Sequence, residues 1–583
     1  MLGGTGGSLV KLGTGTLTLT GADTYTGGST IGGGVLEVDG SIAASNLTTV
    51  NSGAALTGVG TVGNTQVNSG GTFAPGNGAA GSSMTVTGNL AFASGALYLA
   101  QVNLSAASFA SVTGAATLGG ATVNAVFANG SFISKQYTIL TAAGVSGTFG
   151  SLVNTNLPAN FSDTLSYDAR NAYLNLSLGF SAGLNVNQQN VANALTGFFN
   201  ATGGIPVVFG TLSPGGLTQV SGELATASQQ TTFDAMNLFM GVMTDPFANG
   251  RGDGGTAGAG APNGYASTQN TGAARDAHAM FVKAPFTEAP FTEEPLAQTY
   301  DPHWNVWAAG FGGSQTTDGN ATLGSNNTTS SVYGSAAGAD YRISPFTVAG
   351  FALAGGGTNF SVANGGSGHS DLFQAGAFIR HAAGPAYILA ALAYGWQDIT
   401  TNRIVTVAGS NQLRAQFDAN AFSGRLESGY RLVAPWGGGI GITPDAAAQF
   451  TTFDLPGYTE QAIVGSNAFA LGYGARDVTD TRSELGIRTD KSWAMTDGIL
   501  TLRGRAAWAH DFNPDRSIAA AFQTLPGASF VVNGAAQASD SALVTASIEK
   551  KWLNGWSAAA TFEGEFSDVT RSYAGKGVMR YQW

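Results

Sequence analysis

Arginine and glutamate recur two residues apart in the second half of the chain: Arg425, Glu427 and Arg431, then Arg482, Glu484 and Arg488, then Glu563 and Glu565, with Arg580 near the end. Residues i and i+2 of an extended strand share one face. Each set therefore forms a charged row. The opposite faces carry Leu426, Ser428, Tyr430 and Leu432, then Leu485 and Ile487, then Trp556, Ala558, Ala560, Phe562 and Phe566. The chemistry open to such rows is ion pairing between neighbouring strands, or contact with a segment threaded past them. Both need a wet, enclosed surface.

Bond-making chemistry is poorly supplied. The chain has no cysteine, and its five histidines, at 278, 303, 369, 381 and 510, leave residues 1–277 with none. A Ser-His-Asp or Cys-His nucleophile cannot be assembled there. No Gly-x-Ser-x-Gly elbow, His-Glu-x-x-His pair or Gly-x-x-x-x-Gly-Lys-Ser/Thr loop is present. The histidines lack ligand spacing, so no metal is expected, and neither is a cofactor or a catalytic residue. Gly355, Gly356 and Gly357 read as a turn or kink rather than a nucleotide loop. Arg251, Gly252 and Asp253 spell a cell-attachment string inside a Gly-rich stretch, where such strings arise by chance. The net charge of −11 argues against a nucleic-acid partner, which would need a basic stripe.

The elements that must position the charged rows show most plainly at the end of the chain. Met579, Tyr581 and Trp583 fall on one face of a strand, and Val578, Arg580 and Gln582 on the other. Twelve strand-like segments can be counted, beginning near Trp304, Val332, Phe346, Asp371, Ala386, Phe417, Gly439, Thr481, Ile499, Ser541, Trp556 and Tyr573. No run of about 18 apolar residues exists to make a membrane helix. Alternation of this kind, with aromatic ends, is what a transmembrane β-barrel requires, because only a closed sheet pairs every backbone group in lipid. The charged rows cannot face lipid, where each charge would cost roughly 2–4 kcal/mol at the midplane, so they are expected to line the lumen. By the same logic Ile487→Arg should cost more than Arg488→Leu.

Residues 1–180 contain only Lys11, Lys135 and Arg170 as basic groups. Short alternating runs such as Thr16 to Thr20, Val35 to Val38 and Ala121 to Val126 are separated by Gly, Asn and Ser turns. Their quasi-repeat of roughly 20 residues predicts a parallel β-helix, with an antiparallel sandwich as the alternative. In residues 181–302 the period changes. Val191, Ala194, Leu195 and Phe198 share a helical face that Gly203 and Gly204 would end. A second helix is expected from Ser213 and Pro214 to Asp245, with Leu217, Val220, Leu224, Met236, Met240 and Met243 as its stripe. At about 1.5 Å per residue its roughly 30 residues would cover about 45 Å, enough to cross a membrane inside a pore; the stripe could equally pack in a small helical bundle. Residues 248–302 read as a linker. The fold class is thus all-β: a parallel β-helix (1–180), an α-helical linker (181–302) and a 12-stranded antiparallel transmembrane β-barrel (303–583). Met1 does not begin a signal peptide, since no basic segment and apolar core precede Leu9, and the sequence reads as part of a longer chain.

These residues carry a family resemblance. Gly13 to Ile31 with Gly34 to Ser41 resembles the passenger-associated transport repeat of autotransporters, the proteins of type V secretion. Gly70 to Gly76, Tyr137 to Ala143 and Leu165 to Tyr173 resemble the stretch that closes such passengers. Trp304 to Gly313, Gly338 to Arg342, Phe422 to Arg431, Arg482 to Gly486 and Met579 to Trp583 resemble, in matching order, the autotransporter translocator barrel. The long stretch between the second helix and the first strand departs from the family pattern. That leaves open which segment occupies the pore.

The resemblance implies a non-enzymatic conduit in the outer membrane of a Gram-negative bacterium, embedded in outer-membrane lipids. It would be delivered unfolded by periplasmic chaperones and inserted by the barrel assembly machinery, with Met579, Tyr581 and Trp583 as the assembly signal. The passenger would be exported to the surface as an adhesin-like protein for an unknown extracellular ligand. The alternative is a surface-anchored hydrolase whose catalytic part lies upstream.

Overall fold

The structure, a computed structural model, describes residues 2–245 except Ala80 and Leu104, and residues 304–583 except 435–438. The chain forms two compact units, Met1–Leu184 with Gln188–Leu217, and Asn185–Asn187 with Thr218–Trp583.

In the first unit, short alternating strands stack as a parallel β-helix. One column runs Leu9, Ser29, Thr48, Thr65, Leu90, Ala116 and Val145 in parallel register. Coil length thus varies from 17 residues, between Thr48 and Thr65, to 29, between Ala116 and Val145, around the expected repeat. Alternation puts Ile31, Leu36, Leu56, Phe73, Tyr98 and Val123 inward and fully buried. Phe73, Phe92, Tyr98 and Phe149 stack between coils with ring centroids 5.5–6.0 Å apart. Turns between coils demand glycine. Gly34 has φ +62°, and a Cβ there would lie 2.4 Å from the Gly15 carbonyl oxygen.

The coils end where Phe161–Tyr167 and Asn171–Leu178 form an antiparallel hairpin against Gln136–Thr141. Helix α1 (Val186–Thr202) follows. It buries Val191, Ala192, Leu195 and Phe199, so the face expected at Ala194 and Phe198 is rotated by about one residue, and it stops at Gly203 with φ +79°.

The second unit is a barrel of twelve antiparallel strands. They are β1 (Trp304–Thr317), β2 (Thr328–Ser344), β3 (Thr347–Val362), β4 (Gly366–Ala383), β5 (Ala386–Val405), β6 (Asn411–Tyr430), β7 (Gly441–Leu455), β8 (Arg476–Met495), β9 (Gly498–Asp511), β10 (Asp540–Trp552), β11 (Trp556–Phe566) and β12 (Thr570–Gln582). Each pairs with the next, and β12 closes on β1, from Asn305 opposite Gln582 to Thr317 opposite Thr570. Closure leaves the wall without an edge, which is the condition for a sheet to sit in lipid.

Outward positions carry Phe351, Leu392, Leu426, Leu485, Ile487 and Phe562, each about half to two-thirds exposed. Aromatic rings gather at the strand ends, with Trp304 against Tyr341 at 4.8 Å and Trp556 against Tyr581 at 5.0 Å. At one end four of the five connections are two or three residues long (345–346, 384–385, 496–497, 553–555) and the fifth is 431–440, whereas those at the other end include the long segments 456–475 and 512–539. In outer-membrane barrels the short turns are periplasmic and the long loops extracellular.

The barrel encloses α2 (Leu224–Met243), whose 20 residues span about 30 Å. The longer helix expected from Ser213 to Asp245 is broken after Val220, because Gly222 takes φ +77° and turns the chain at the long-loop end before α2 descends. Thr226, Gln229, Thr231 and Thr232 of α2 are as buried as its methionines.

Candidate functional site

The lumen is built by two facing surfaces, a helix and a charged wall. Helix α2 contacts β1 to β7. Glycines on the inward faces of β4 and β5 make room for it. A Cβ on Gly395 would lie 2.8 Å from the Met236 Sδ, and one on Gly376 2.7 Å from the Met243 Sδ.

Side chains of the wall satisfy the helix. Gln374 Nε2 donates to the Ala235 carbonyl at 3.1 Å, and Gln397 Nε2 to Thr232 Oγ1 at 3.1 Å. Ser330 Oγ donates to Asp234 Oδ2 at 2.8 Å, and Gln449 Nε2 to Asn237 Oδ1 at 2.6 Å. Lys576 Nζ donates to the Gly241 carbonyl at 3.1 Å and to Glu563 at 2.7 Å, and lies 3.6 Å from Asp245. Arg516 donates to Gln230 at 3.0 Å and covers the Phe233 ring at 4.6 Å.

The remaining wall, from β6 to β11, carries a continuous ion-pair network. Arg425 bridges Glu427 at 2.8 Å and Glu484 at 2.9 Å. Arg488 pairs with Glu427 at 2.7 Å and lies 3.5 Å from Asp445. Arg505 joins Asp445 at 2.7 Å to Glu484 at 2.8 Å. Arg482 binds Glu565 at 2.9 Å and approaches Glu484 at 3.5 Å and Asp511 at 3.7 Å. Signs alternate along the chain of contacts, so each buried charge has partners of opposite sign, as burial demands. Between this wall and α2 lies a cavity of about 190 Å³, bordered by Asp234, Asn237, Gly241, Arg482 and Glu565. Such a polar space suits water. The arrangement can hold charge and a helix in place, and it presents no nucleophile with an activating base.

The structure brings Arg425, Glu427, Arg482, Glu484, Arg488 and Glu565 of the expected rows into one network. Glu563 sits apart with Lys576. Arg431, just past β6, pairs with Asp490 at 2.7 Å. Arg580 is buried on β12, opposite Trp307 and Ser557. Met579 and Trp583 are more than half exposed, and the Tyr581 and Trp583 rings stack at 5.7 Å. Arg251, Gly252 and Asp253 lie outside the described residues.

Asp445, Arg505 and Lys576 were not anticipated. The first two had a readable signal, because Thr443, Asp445, Ala447 and Gln449, and likewise Arg503 and Arg505, alternate with apolar neighbours. Lys576 falls on the same face as Val578 and Arg580, but its flanking glycines give no apolar contrast to mark it.

Residues 306–563 match the family described as the autotransporter beta-domain, and residues 9–38 the passenger-associated-transport-repeat. A curated relative, an extracellular serine protease of Serratia marcescens, is 26% identical over 587 residues, covering 93% of this chain and 52% of its own length. The chain thus spans about half of that relative. Among solved structures, the translocator domain of autotransporter NalP from Neisseria meningitidis is 16% identical with a TM-score of 0.38, over 55% of this chain and 99% of that one. The beta domain of the Bordetella autotransporter BrkA is 19% identical with a TM-score of 0.36, over 48% and 98%. With a β-domain matched across most of the closed barrel and a transport repeat matched in the β-helix, the chain is an autotransporter, an outer-membrane protein whose passenger is displayed at the cell surface.

Proposed function

We propose that the barrel mediates export of the chain's own β-helical part and afterwards holds it at the surface through α2. The observation that carries this reading is the seating of α2. The chain turns at Gly222 among the long loops and descends inside the barrel, while β1 starts and β12 ends among the short turns. That placement is what a polypeptide drawn through its own pore would leave behind. Coil-on-coil burial in the β-helix would oppose backsliding, since each coil removes apolar area from water.

In this reading residues 1–180 are the passenger end, 181–302 the pore and linker segment, and 303–583 the translocator. The charged rows, including Arg431 and Arg580, line the lumen during passage. Met579, Tyr581 and Trp583 present the assembly signal to the barrel assembly machinery after delivery by periplasmic chaperones. We read the passenger as adhesin-like, from its repeats and its lack of a nucleophile set. The second reading is a surface-anchored hydrolase with its catalytic part elsewhere in a longer protein; the Serratia relative's name, an extracellular serine protease, is compatible with it and does not favour it over the first.

The test of export is protease shaving of intact cells making the full chain. Proteinase K should remove the β-helix and leave a barrel that migrates faster unheated than boiled. A β-helix protected until the outer membrane is opened would refute the proposal.

A further inference from the structure

At the long-loop end of the barrel, one guanidinium ties together three elements. Arg403, near the end of β5, is 2% exposed. Its Nε donates to Glu460 Oε1 at 3.0 Å, and its Nη2 donates to the Phe469 carbonyl at 2.8 Å and to Glu460 Oε2, all within the 456–475 loop. Its Nη1 donates to the Gln219 carbonyl at 3.0 Å, on the segment leading into α2. The same loop meets that segment again at Gly222. The Tyr473 hydroxyl lies 3.1 Å from Glu460 Oε1 and 3.4 Å from the Gly222 carbonyl oxygen. A Cβ on Gly222 would lie 2.4 Å from Leu471 Cδ1 and 2.5 Å from Tyr473 Oη.

Leu471–Tyr473 belongs to a four-stranded sheet separate from the barrel wall. That sheet comprises Tyr458–Thr459, Leu471–Tyr473, Ser517–Phe522 and Ser529–Asn533, and so knits the two long loops together. From its 512–539 side, the Ser517 carbonyl accepts from Gln229 Nε2 of α2 at 3.1 Å.

We propose that Arg403 is a coincidence latch, closing the two long loops over the barrel mouth only when α2 is seated. A buried guanidinium is tolerated only while its donors are paired, and each missing partner exposes the cost of burying the charge. Here the partners are divided between the loop (Glu460, Phe469) and the threaded chain (Gln219). Withdrawing the chain strips Nη1 of its acceptor and leaves a gap at Leu471 and Tyr473 that is shaped for a glycine. Lifting the loop leaves Arg403 facing a lone carbonyl. During passage other residues occupy the Gly222 position, where a side chain would displace those of Leu471 and Tyr473 and the left-handed turn that leads into α2 is not made, so the latch stays incomplete until the stop segment arrives. This inference rests on the export reading.

The chain has no cysteine, so Ala470→Cys gives a single thiol at a fully buried loop position beside Phe469. Labelling by a membrane-impermeant maleimide, on intact cells making the full chain, reports loop lifting. Adding Arg403→Gln should speed labelling by about ten-fold or more, as for a local opening equilibrium that has lost its main contacts. Met236→Asp with Met243→Asp, which unseats α2 without touching the loops, should speed it to the same degree, and combining both sets should add nothing further. Should Arg403→Gln fail to assemble, Arg403→Lys keeps the charge without the fork and should give intermediate labelling. A position 470 that stays protected when α2 is unseated, or when Arg403 is replaced, overturns the latch. A β-helix that stays protected from external protease in every form, the unaltered chain included, would overturn the export reading instead.

Discussion

Ile487 and Arg488 are neighbours on β8 that face opposite ways, Ile487 being 54% exposed and Arg488 6%. From alternation alone the change at the lumen face is expected to be the milder. The contacts alter that expectation. Ile487→Arg places a charge on the lipid face near mid-strand and should cost about 2–4 kcal/mol.

Arg488→Leu removes donors to Glu427 at 2.7 Å and to the Tyr387 hydroxyl at 2.5 Å. Glu427 keeps Arg425 at 2.8 Å and Tyr387 at 2.9 Å, and Asp445 keeps Arg505 at 2.7 Å. Neither carboxylate is orphaned, so the loss amounts to about one charge-assisted hydrogen bond, ~1.5–3 kcal/mol, comparable with the lipid-face charge. Coupling tells the two sites apart. In an Arg488→Leu background, Glu427→Leu should cost about 1–2 kcal/mol less than alone, whereas with Ile487→Arg it should add to within about 0.5 kcal/mol. Urea titrations of refolding into lipid vesicles, scored by the heat-modifiable gel band, give all the terms. A coupling near zero between Arg488 and Glu427, or a neutral Ile487→Arg, would refute the face assignment.

Three further outcomes are expected. Gly395→Leu overpacks the socket of Met236 and should push α2 from the β5 wall, costing about 1–3 kcal/mol and raising ion conductance in planar bilayers; unchanged conductance would mean that the helix seats elsewhere. Replacing Tyr581 and Trp583 by Asp removes the rings stacked at 5.7 Å at the closing strand and should cut the amount of assembled barrel in the outer membrane, so normal amounts by quantitative blotting would refute the role.

In the β-helix, the exposed Asp168 carboxyl is held well below the usual range by hydrogen bonds from the Asn171 side chain, the Arg170 amide and the Tyr173 hydroxyl. A depressed carboxyl contributes stability that is present above its ordinary value and lost as pH falls through its lower folded value. The Asn171 amide should therefore stay protected from hydrogen exchange at mildly acidic pH and open only in stronger acid; opening already near neutrality would contradict this.

The barrel was legible because its signal is repeated. Twelve segments, each with a polar and an apolar face, point to one closed sheet even though the edges of several strands, such as β2 and β6, begin a few residues earlier than alternation suggests. Charged rows were legible for the same reason, and Asp445 and Arg505 would have been had β7 and β9 been read with the same rule. The break at Gly222 was not legible. Gly215, Gly216 and Gly222 all sit in a helical stretch, and only the close approach of Leu471 and Tyr473 decides which of them turns. Arg403 is a lone charge at a strand end, and its partners Glu460 and Gln219 are far away in sequence. No periodicity encodes a contact made by irregular loops.

Whether the chain threads its own barrel can be tested by a cross-link. Gln449 Nε2 and Asn237 Oδ1 are 2.6 Å apart, and the chain has no cysteine. Asn237→Cys with Gln449→Cys, joined by a short bis-maleimide in cells whose β-helix is removable by external protease, should yield a cross-linked, heat-modifiable barrel. A barrel that assembles and displays the β-helix yet gives no cross-link would contradict the account.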